Sequence, residues 1–350
     1  MNQFFNQSPY GKIPLDFDGN FSGGQGELPN HTEKRQLMLL STVAGLCVVF
    51  FLLLQNIIPK IMVKMGIANI YIASEEASIC IDIILSLICI FIPFLVASFV
   101  VKKISPQTEV LPFRKPNSPE LFGIAIAIGV LAMLLSNYIT SAFIFYMDNA
   151  GVEFSSPSEA QFTGGTASFL LYILRGAIVP ALIEEFALRG VIMQPLRKYG
   201  DKIAIIISSL IFAVMHGNMV QAPFAFILGC AIGYLVILTE SLWTGVAIHF
   251  INNAFSIIMA AISTKMGYEV YFRVFTIISL LIIVAGVAAT LWFVTNRKKY
   301  PRLKSRGGET KTMRRNYNRS ALKTYFLNPA LLVAFGFLIY NMTDYIKLGG

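Results

Sequence analysis

Charged residues are scarce in this sequence. Of its 350 residues only 13% are Asp, Glu, Lys or Arg, whereas 55% are hydrophobic, and the mean hydropathy is +0.66. Ordinary soluble domains carry about 25% charged residues, so this balance excludes a soluble globular protein. Most of the chain must be solvated by lipid, and its length therefore does not imply two soluble domains.

Cysteine is also scarce, and its four copies show no C-x-x-C spacing. All four lie inside apolar stretches, at Cys47, Cys80, Cys89 and Cys230. This distribution excludes a disulfide framework and a thiolate metal site. It indicates small buried hydrophobic side chains instead.

A secretory leader is missing too. Residues 1–33 are polar, rich in Gly, Asn and Pro, and contain no apolar h-region, so we expect no cleavable signal peptide. We expect the polar segment 1–36 to lie in the cytoplasm.

Long apolar runs are abundant. A spanning helix needs about 20 mainly apolar residues, and eight stretches meet or approach that length. They are residues 37–58, 79–101, 121–147, 168–193, 203–217, 222–239, 242–264 and 274–296. Open strands leave backbone groups unsatisfied in lipid, so these runs must be helices. The sequence therefore predicts an all-α, polytopic transmembrane bundle of about eight spans.

Basic residues set the orientation of this bundle. They fill the loops after the second and fourth spans, as Lys102, Lys103, Arg114 and Lys115 in one and Arg197, Lys198 and Lys202 in the other. The loop after the third span has no Lys or Arg between positions 148 and 167. The positive-inside rule therefore places the two basic loops, the N-terminus and the tail after Asn296 in the cytoplasm.

That tail is strongly basic. Between Arg297 and Lys323 it contains eleven basic residues and one acid, Glu309. A basic run can bind nucleic acid, but this one directly follows a span, where retention by anionic lipid headgroups is the simpler explanation. We expect anionic lipid, and no nucleic acid, as its partner.

The pattern divides the chain into six segments. These are the polar segment 1–36, three N-terminal spans in 37–147, core spans in 168–264, a final core span in 265–296, the basic tail 297–325 and a C-terminal apolar helix in 326–350. The last of these is either an interfacial helix or a ninth span, and the sequence leaves both open.

The C-terminal half of the fourth span holds three charges that lipid should disfavour. An ionisable side chain at the centre of a bilayer helix costs about 2.5–3.5 kcal/mol on insertion scales, so those that persist there usually function or pair. Glu185 and Arg189 are four residues apart and can pair on one helical face. Glu184 is rotated by about 100° and points to a different neighbour. A salt-bridged helix end near the headgroups is the structural alternative.

Two of the three histidines also fall in predicted spans. His216 ends the fifth span, and His249 shares a face of the seventh with Asn253. At 1.5 Å per residue, Glu184, His216 and His249 lie about 18, 20 and 10 Å from the cytoplasmic ends of their spans. The three side chains can therefore meet in one layer.

Three motifs in this order resemble those of the CAAX-protease and bacteriocin-processing (CPBP, or Abi) family of intramembrane endopeptidases. They read Glu184-Glu185-x-x-x-Arg189, Phe212-x-x-x-His216 and His249-x-x-x-Asn253. The resemblance covers residues 168–264 and leaves the first three spans and the basic tail outside it.

The resemblance implies roles for these residues. Glu184 is the essential glutamate and works with His216 on a water molecule, while His249 and Asn253 stabilise the oxyanion. Elementary chemistry agrees, since a buried carboxylate can act as a general base and imidazole and carboxamide donors can stabilise developing negative charge. Arg189 would position Glu185 and neutralise its charge.

An alternative chemistry uses the same residues as metal ligands. Glu184, His216 and His249 would hold a zinc ion with water in the open position. The H-E-x-x-H motif is absent, and we favour the mechanism without metal or other cofactor.

We therefore expect a multi-pass enzyme of the cell membrane that cleaves a membrane-embedded or lipidated peptide or protein. The residues do not establish a prenylated substrate. A non-proteolytic immunity or scaffold protein, which keeps the motifs as a rigid polar network, stays open as a second class. A transporter is a third, but the sequence shows no inverted repeat or matched pair of broken helices.

Overall fold

The structure is a computed structural model that describes residues 28–109, 113–155, 165–300, 302–308 and 310–348. Most of the predicted polar segment 1–36 therefore lies outside the described residues.

The described chain is almost entirely helical. Its elements are α1 (His31–Lys64), α2 (Ile67–Ala73), α3 (Glu75–Ile104), α4 (Pro119–Asn149), β1 (Val152–Phe154), α5 (Thr166–Tyr199), α6 (Asp201–Met215), α7 (Ala222–Thr239), α8 (Leu242–Met266), α9 (Tyr268–Thr295), α10 (Lys311–Phe326), α11 (Pro329–Thr343) and β2 (Ile346–Leu348). The prediction of an all-α bundle is confirmed.

The number of spans also agrees with the prediction. Among the described residues, seven helices are long and apolar enough to cross a membrane, namely α1, α3, α4, α5, α7, α8 and α9. The count rises to eight if α10 and α11, which are bent by 75° to one another, form one broken span.

The predicted fifth span, 203–217, is a helix of the predicted length that begins two residues earlier and is not one of these seven candidate spans. It corresponds to α6, which has 15 residues and is therefore about 22 Å long, less than the roughly 30 Å of a bilayer core. Glycines with positive φ bound it, at Gly200 (φ 123°) and at Gly217 (φ 70°). If α6 starts at the cytoplasmic boundary, its far end and His216 stay inside the apolar layer.

Helix α5 is interrupted twice by π-helical turns. They span Leu174–Ile178 and Phe186–Met193 and enclose the regular segment Val179–Glu185. A π turn shifts the phase of a helix locally and is often found at functional sites. Glu184 and Glu185 end the regular segment, directly before the second π turn.

The C-terminal helices pack on α1. Asn328, just before α11, donates from Nδ2 to the Met38 carbonyl at 3.0 Å, and an added Cβ at Gly45 would lie 2.6 Å from the Ala330 carbonyl carbon. At its other end, α11 leads into β2, which pairs antiparallel with β1 through Glu153 and Lys347. Residues 329–348 therefore extend from the N-terminal part of α1 to the C-terminal end of α4.

The start of the basic tail is attached to the bundle. Buried Asp201, the first residue of α6, accepts a hydrogen bond from the Lys304 backbone N–H at 2.7 Å and one from Arg197 Nε at 2.9 Å. Arg306 forms an ion pair with Glu33 at 3.1 Å. These contacts hold the start of the tail against the N-terminal ends of α1 and α6.

Candidate active site

Glu185 is the centre of a buried polar cluster between α5 and α8. Its side chain is 0% exposed, and Oε1 accepts hydrogen bonds from Arg189 Nη1 at 2.9 Å and from His249 Nδ1 at 3.0 Å. Helix α8 can approach this closely only because residue 245 is glycine, where an added Cβ would lie 2.5 Å from Glu185 Oε2. The carboxylate is therefore fixed from two helices.

Arg189 completes the charge balance of Glu185. The pair forms at the i,i+4 spacing that the sequence suggested, with both side chains fully buried. Arg189 Nη2 also donates to the Gly229 carbonyl of α7 at 3.2 Å, and its guanidinium carbon lies 4.7 Å from the centroid of the Phe212 ring. A buried guanidinium needs such partners because water cannot reach it.

His249 links Glu185 to Glu184. Because Nδ1 is engaged with Glu185, the other ring nitrogen, Nε2, faces Glu184, whose Oε2 lies 3.7 Å away. The two glutamates differ in access, since the Glu184 side chain is 22% exposed and the Glu185 side chain 0%. Only Glu184 is thus open to a water molecule or substrate.

His216 joins the cluster through an aromatic ring. It caps α6, and its Nδ1 lies 2.8 Å from the Phe212 carbonyl oxygen. A carbonyl only accepts, so this nitrogen carries the proton and Nε2 is left as an acceptor. The Phe212 ring contacts both histidines, with centroid separations of 4.7 Å to His216 and 5.7 Å to His249.

Asn253 lies one turn beyond His249 on α8 and has its own partners. Its Nδ2 donates to the Gly176 carbonyl of α5 at 3.0 Å, and its Oδ1 accepts from Asn252 Nδ2 at 2.8 Å. The predicted site residues therefore form two groups. Glu184, Glu185, Arg189 and His249 are in direct contact, and His216 and Asn253 flank them.

Sequence reasoning missed the residues that support this cluster. Gly245 and Gly229 carry no signal beyond being small, and the acceptor role of Gly176 depends on a contact between two helices. Asn252 was visible as a second amide beside Asn253. The sequence gave no reason to assign Asn252 a functional role in place of a structural one.

The predicted zinc ligands do not converge. Among the residues that the structure describes, no group of three or more His, Cys, Asp or Glu side chains is arranged to hold a metal ion. His249 turns Nδ1 to Glu185, and His216 turns Nδ1 to the backbone of its own helix. The donor set Glu184, His216 and His249 thus does not fit zinc as it is arranged here.

A carboxylate and two histidines inside an apolar helical bundle define a class. They are the groups that activate water and stabilise an oxyanion, and they lie here among helices long enough to cross a membrane. A helical bundle of this kind with these groups at its centre is the arrangement expected of an intramembrane hydrolase.

Comparison with known proteins agrees with this class. Residues 166–255 match the family described as Type II CAAX prenyl endopeptidase Rce1-like. The match runs from the start of α5 to just beyond Asn253, so it confirms the resemblance drawn from the motifs. The family is one of proteases and supports intramembrane endopeptidase activity in a multi-pass membrane protein. No curated protein and no solved structure matches the chain.

Proposed function

We propose that this protein hydrolyses a peptide bond of a membrane-embedded or lipidated substrate with water activated by Glu184. The observation that carries the proposal is the unequal access of two adjacent glutamates. Glu185 is sealed and held by Arg189 and His249, whereas Glu184 is partly exposed beside His249 Nε2. The Glu185 carboxylate has a structural role, and the Glu184 carboxylate is available to react.

The proposed reaction balances its protons through Glu184. The carboxylate takes a proton as water adds to the scissile carbonyl, and it returns that proton to the leaving amine as the carbon–nitrogen bond breaks. His216 assists on the water side, because its Nε2 is the acceptor nitrogen once Nδ1 donates to Phe212. Both groups are regenerated in each cycle.

The developing oxyanion requires donors. We assign this role to Asn253 and His249, which project from successive turns of α8. Because His249 Nδ1 donates to Glu185, its Nε2 donates to the oxyanion only when the ring carries a second proton. Removing one such donor from a water-excluded site typically costs about 10²–10³ in kcat. The anchoring of both side chains, to Glu185 and to Gly176, supports the assignment because fixed donors need no rearrangement during the reaction.

An apolar cavity near the site fits a hydrophobic part of the substrate. It has a volume of about 300 Å³ and lies between α6, α7 and α11. Its lining includes Ala213 and Val214, on the last turn before His216, together with Phe226 and Met342. The matched family is one of prenyl endopeptidases, and we propose that this protein also acts on a lipidated chain.

The basic tail is proposed to bind anionic lipid at the cytoplasmic surface. Helix α10 carries five of the tail's basic residues and buries Tyr317, Ala321 and Tyr325 on its other face. Because this apolar face packs against the protein, the basic face of the helix is left to contact anionic headgroups. The N-terminus and the tail would then be cytoplasmic.

The decisive experiment compares wild type with Glu184→Gln in liposomes, using a lipidated peptide and mass spectrometry of the products. We expect cleavage to be abolished while membrane insertion is unchanged, because the amide cannot take a proton from water. Wild-type turnover by Glu184→Gln would contradict the mechanism. Loss of the biological phenotype by the same variant at normal abundance would separate the enzyme from an immunity or scaffold protein.

Chelation tests the metal alternative. We expect phenanthroline to leave the purified enzyme active and elemental analysis to find no stoichiometric zinc, since the three candidate ligands do not converge. Activity that disappears with phenanthroline and returns with zinc would establish the zinc-dependent mechanism instead.

A further inference from the structure

Asn252 is a buried polar residue of α8 to which none of the motifs assigns a role. It is 9% exposed, and its Nδ2 donates to Oδ1 of Asn253 at 2.8 Å. Asn253 in turn donates from Nδ2 to the Gly176 carbonyl at 3.0 Å. The three groups form a hydrogen-bonded chain that ends on the backbone of α5.

The direction of this chain follows from its last member. A carbonyl oxygen can only accept, so Asn253 must turn its nitrogen toward Gly176 and its oxygen away. The residue that faces that oxygen must be a donor. Asn252 meets this requirement, whereas an aspartate of the same shape would not when ionised.

Pro180 removes the α-helical partner of the Gly176 carbonyl, to which Asn253 adds a side-chain donor. In an α-helix this oxygen would accept from the N–H four residues later, but that residue is Pro180, which has none. The backbone around Gly176 is π-helical. Asn253 supplies a donor to a carbonyl that the proline leaves without its α-helical partner.

The orientation matters because a carboxamide has two N–H bonds and one oxygen. Asn253 uses one N–H on Gly176, and the second is left for the oxyanion. A rotation of the amide by half a turn would present oxygen instead, which repels an oxyanion. Catalysis through Asn253 thus depends on keeping its amide in one of two orientations of nearly equal shape.

We infer that Asn252 is a positioning residue, which fixes the amide of Asn253 by donating to its oxygen. This inference rests on the proposed function, in which Asn253 stabilises the oxyanion. Asn252 itself touches neither the substrate nor the attacking water.

The test is Asn252→Asp compared with Asn252→Ala, each measured for kcat, KM and thermal unfolding. The ionised carboxylate accepts only and would attract the nitrogen of Asn253, so we expect kcat to fall about 10- to 100-fold with KM nearly unchanged. Alanine removes the donor without attracting that nitrogen, and its kcat should fall less. A packing role predicts the reverse order, because alanine leaves the larger void.

Acid pH provides an independent readout. A protonated carboxyl can donate again, so the ratio of Asn252→Asp to wild-type kcat should rise as the pH is lowered. The ratio for Asn252→Ala should stay constant. If Asn252→Asp does not fold, Asn252→Ser, whose hydroxyl can donate, should be more active than Asn252→Ala.

The inference is overturned if Asn252→Asp keeps wild-type kcat, or if its ratio to wild type does not change with pH, while Asn253→Ala is impaired. An Asn253→Ala variant with full activity would overturn the proposed oxyanion role of Asn253 itself. The two failures are therefore distinguishable.

Discussion

Two Glu–Arg pairs with the same i,i+4 spacing lie in opposite environments of this protein. Glu185 and Arg189 pair at 2.9 Å in the core with both side chains 0% exposed, whereas Glu269 and Arg273 pair at 3.1 Å on α9 with 85% and 73% exposure. The contact distances are nearly equal, so geometry does not separate them. Their surroundings distinguish the two pairs, because solvent screens the exposed pair and cannot reach the buried one.

The buried pair is also part of a larger network. Glu185 holds His249, and Arg189 holds the Gly229 carbonyl of α7. Three helices are therefore connected through one ion pair, at the depth where the chemistry is proposed. The comparison shows that the i,i+4 spacing of Glu and Arg does not by itself define a role. The burial of the pair and its further hydrogen-bond partners do.

The largest expected effect lies in the histidines of the core. We expect His216→Ala and His249→Ala each to lower kcat by about 10²-fold or more, because general base assistance and an oxyanion donor are each worth about that much. His31→Ala is the control, since this third histidine is exposed at the start of α1. Peptide cleavage in liposomes measures all three, and turnover near wild type in either core variant would remove that histidine from the site.

The ion pairs themselves give the next largest effect. Arg189→Met should destabilise the protein by about 3–5 kcal/mol, because it leaves the buried carboxylate of Glu185 without its compensating charge. Arg273→Met makes the same change in the exposed pair and should have no measurable effect. Unfolding in detergent, followed by circular dichroism, compares the two. Equal stabilities would show that burial does not decide the value of these pairs.

We expect the two ends of the C-terminal segment to lie on opposite sides of the membrane. We propose that residues 329–348, which comprise α11 and β2, cross it together, since Asn328 lies beside α1 near Met38 while β2 pairs with β1. In a cysteine-free background, cysteines at Ser118 and Ser305 should be labelled from the cytoplasmic side. Those at Asn149 and Lys347 should be labelled only from the other side.

Two labelling outcomes would correct this topology. If the cysteine at Lys347 is labelled together with that at Ser305, residues 329–348 do not cross. External labelling at Ser118 would invert the whole bundle and place the site nearer the other leaflet.

The smallest expected effect on catalysis is in the tail. We neutralise six exposed basic residues that make neither the Asp201 nor the Glu33 contact, namely Lys298, Lys299, Lys311, Arg315, Arg319 and Lys323. Cleavage of a short peptide should stay within a few-fold of wild type. Anionic lipid retained on the purified full-length protein should decrease, since each basic residue near an anionic surface contributes about 1 kcal/mol.

The companion variant Asp201→Asn tests the attachment of the tail. It weakens the contacts with Lys304 and Arg197 while leaving all eleven tail charges in place. We expect its lipid retention to match wild type. If the six-residue neutralisation abolished cleavage in a correctly inserted protein, the tail would have to belong to the site.

Much of the architecture was predictable from hydropathy. Apolar runs of spanning length located the helices, because lipid admits no other open backbone structure. The error concerned α6, where the run 203–217 continues through His216 and Gly217 but the helix ends at Met215. A glycine with positive φ ended the helix, and hydropathy does not detect that conformation.

The candidate site was predictable in its members and less so in its arrangement. The i,i+4 spacing of Glu185 and Arg189 was enough to predict their pair, since neighbours on one helical turn are set by local geometry. The contact of His249 with Glu185 joins residues that are 64 positions apart. Spacing along one helix cannot specify such a contact, and the sequence had assigned His249 to the oxyanion or, in the alternative mechanism, to zinc.

The sequence by itself determined that this is an integral membrane protein, that it is helical, and which polar residues lie at its centre. Those properties depend on the free-energy cost of placing charged side chains and unpaired backbone groups in lipid. The composition and the periodicity of apolar residues reveal where that cost is avoided. Only the tertiary structure decided that Glu185 is sealed while Glu184 is accessible, and that Asn253 bonds to Gly176. Two adjacent glutamates have the same chemistry, and the close approach of Gly245 to Glu185 is what makes their surroundings differ.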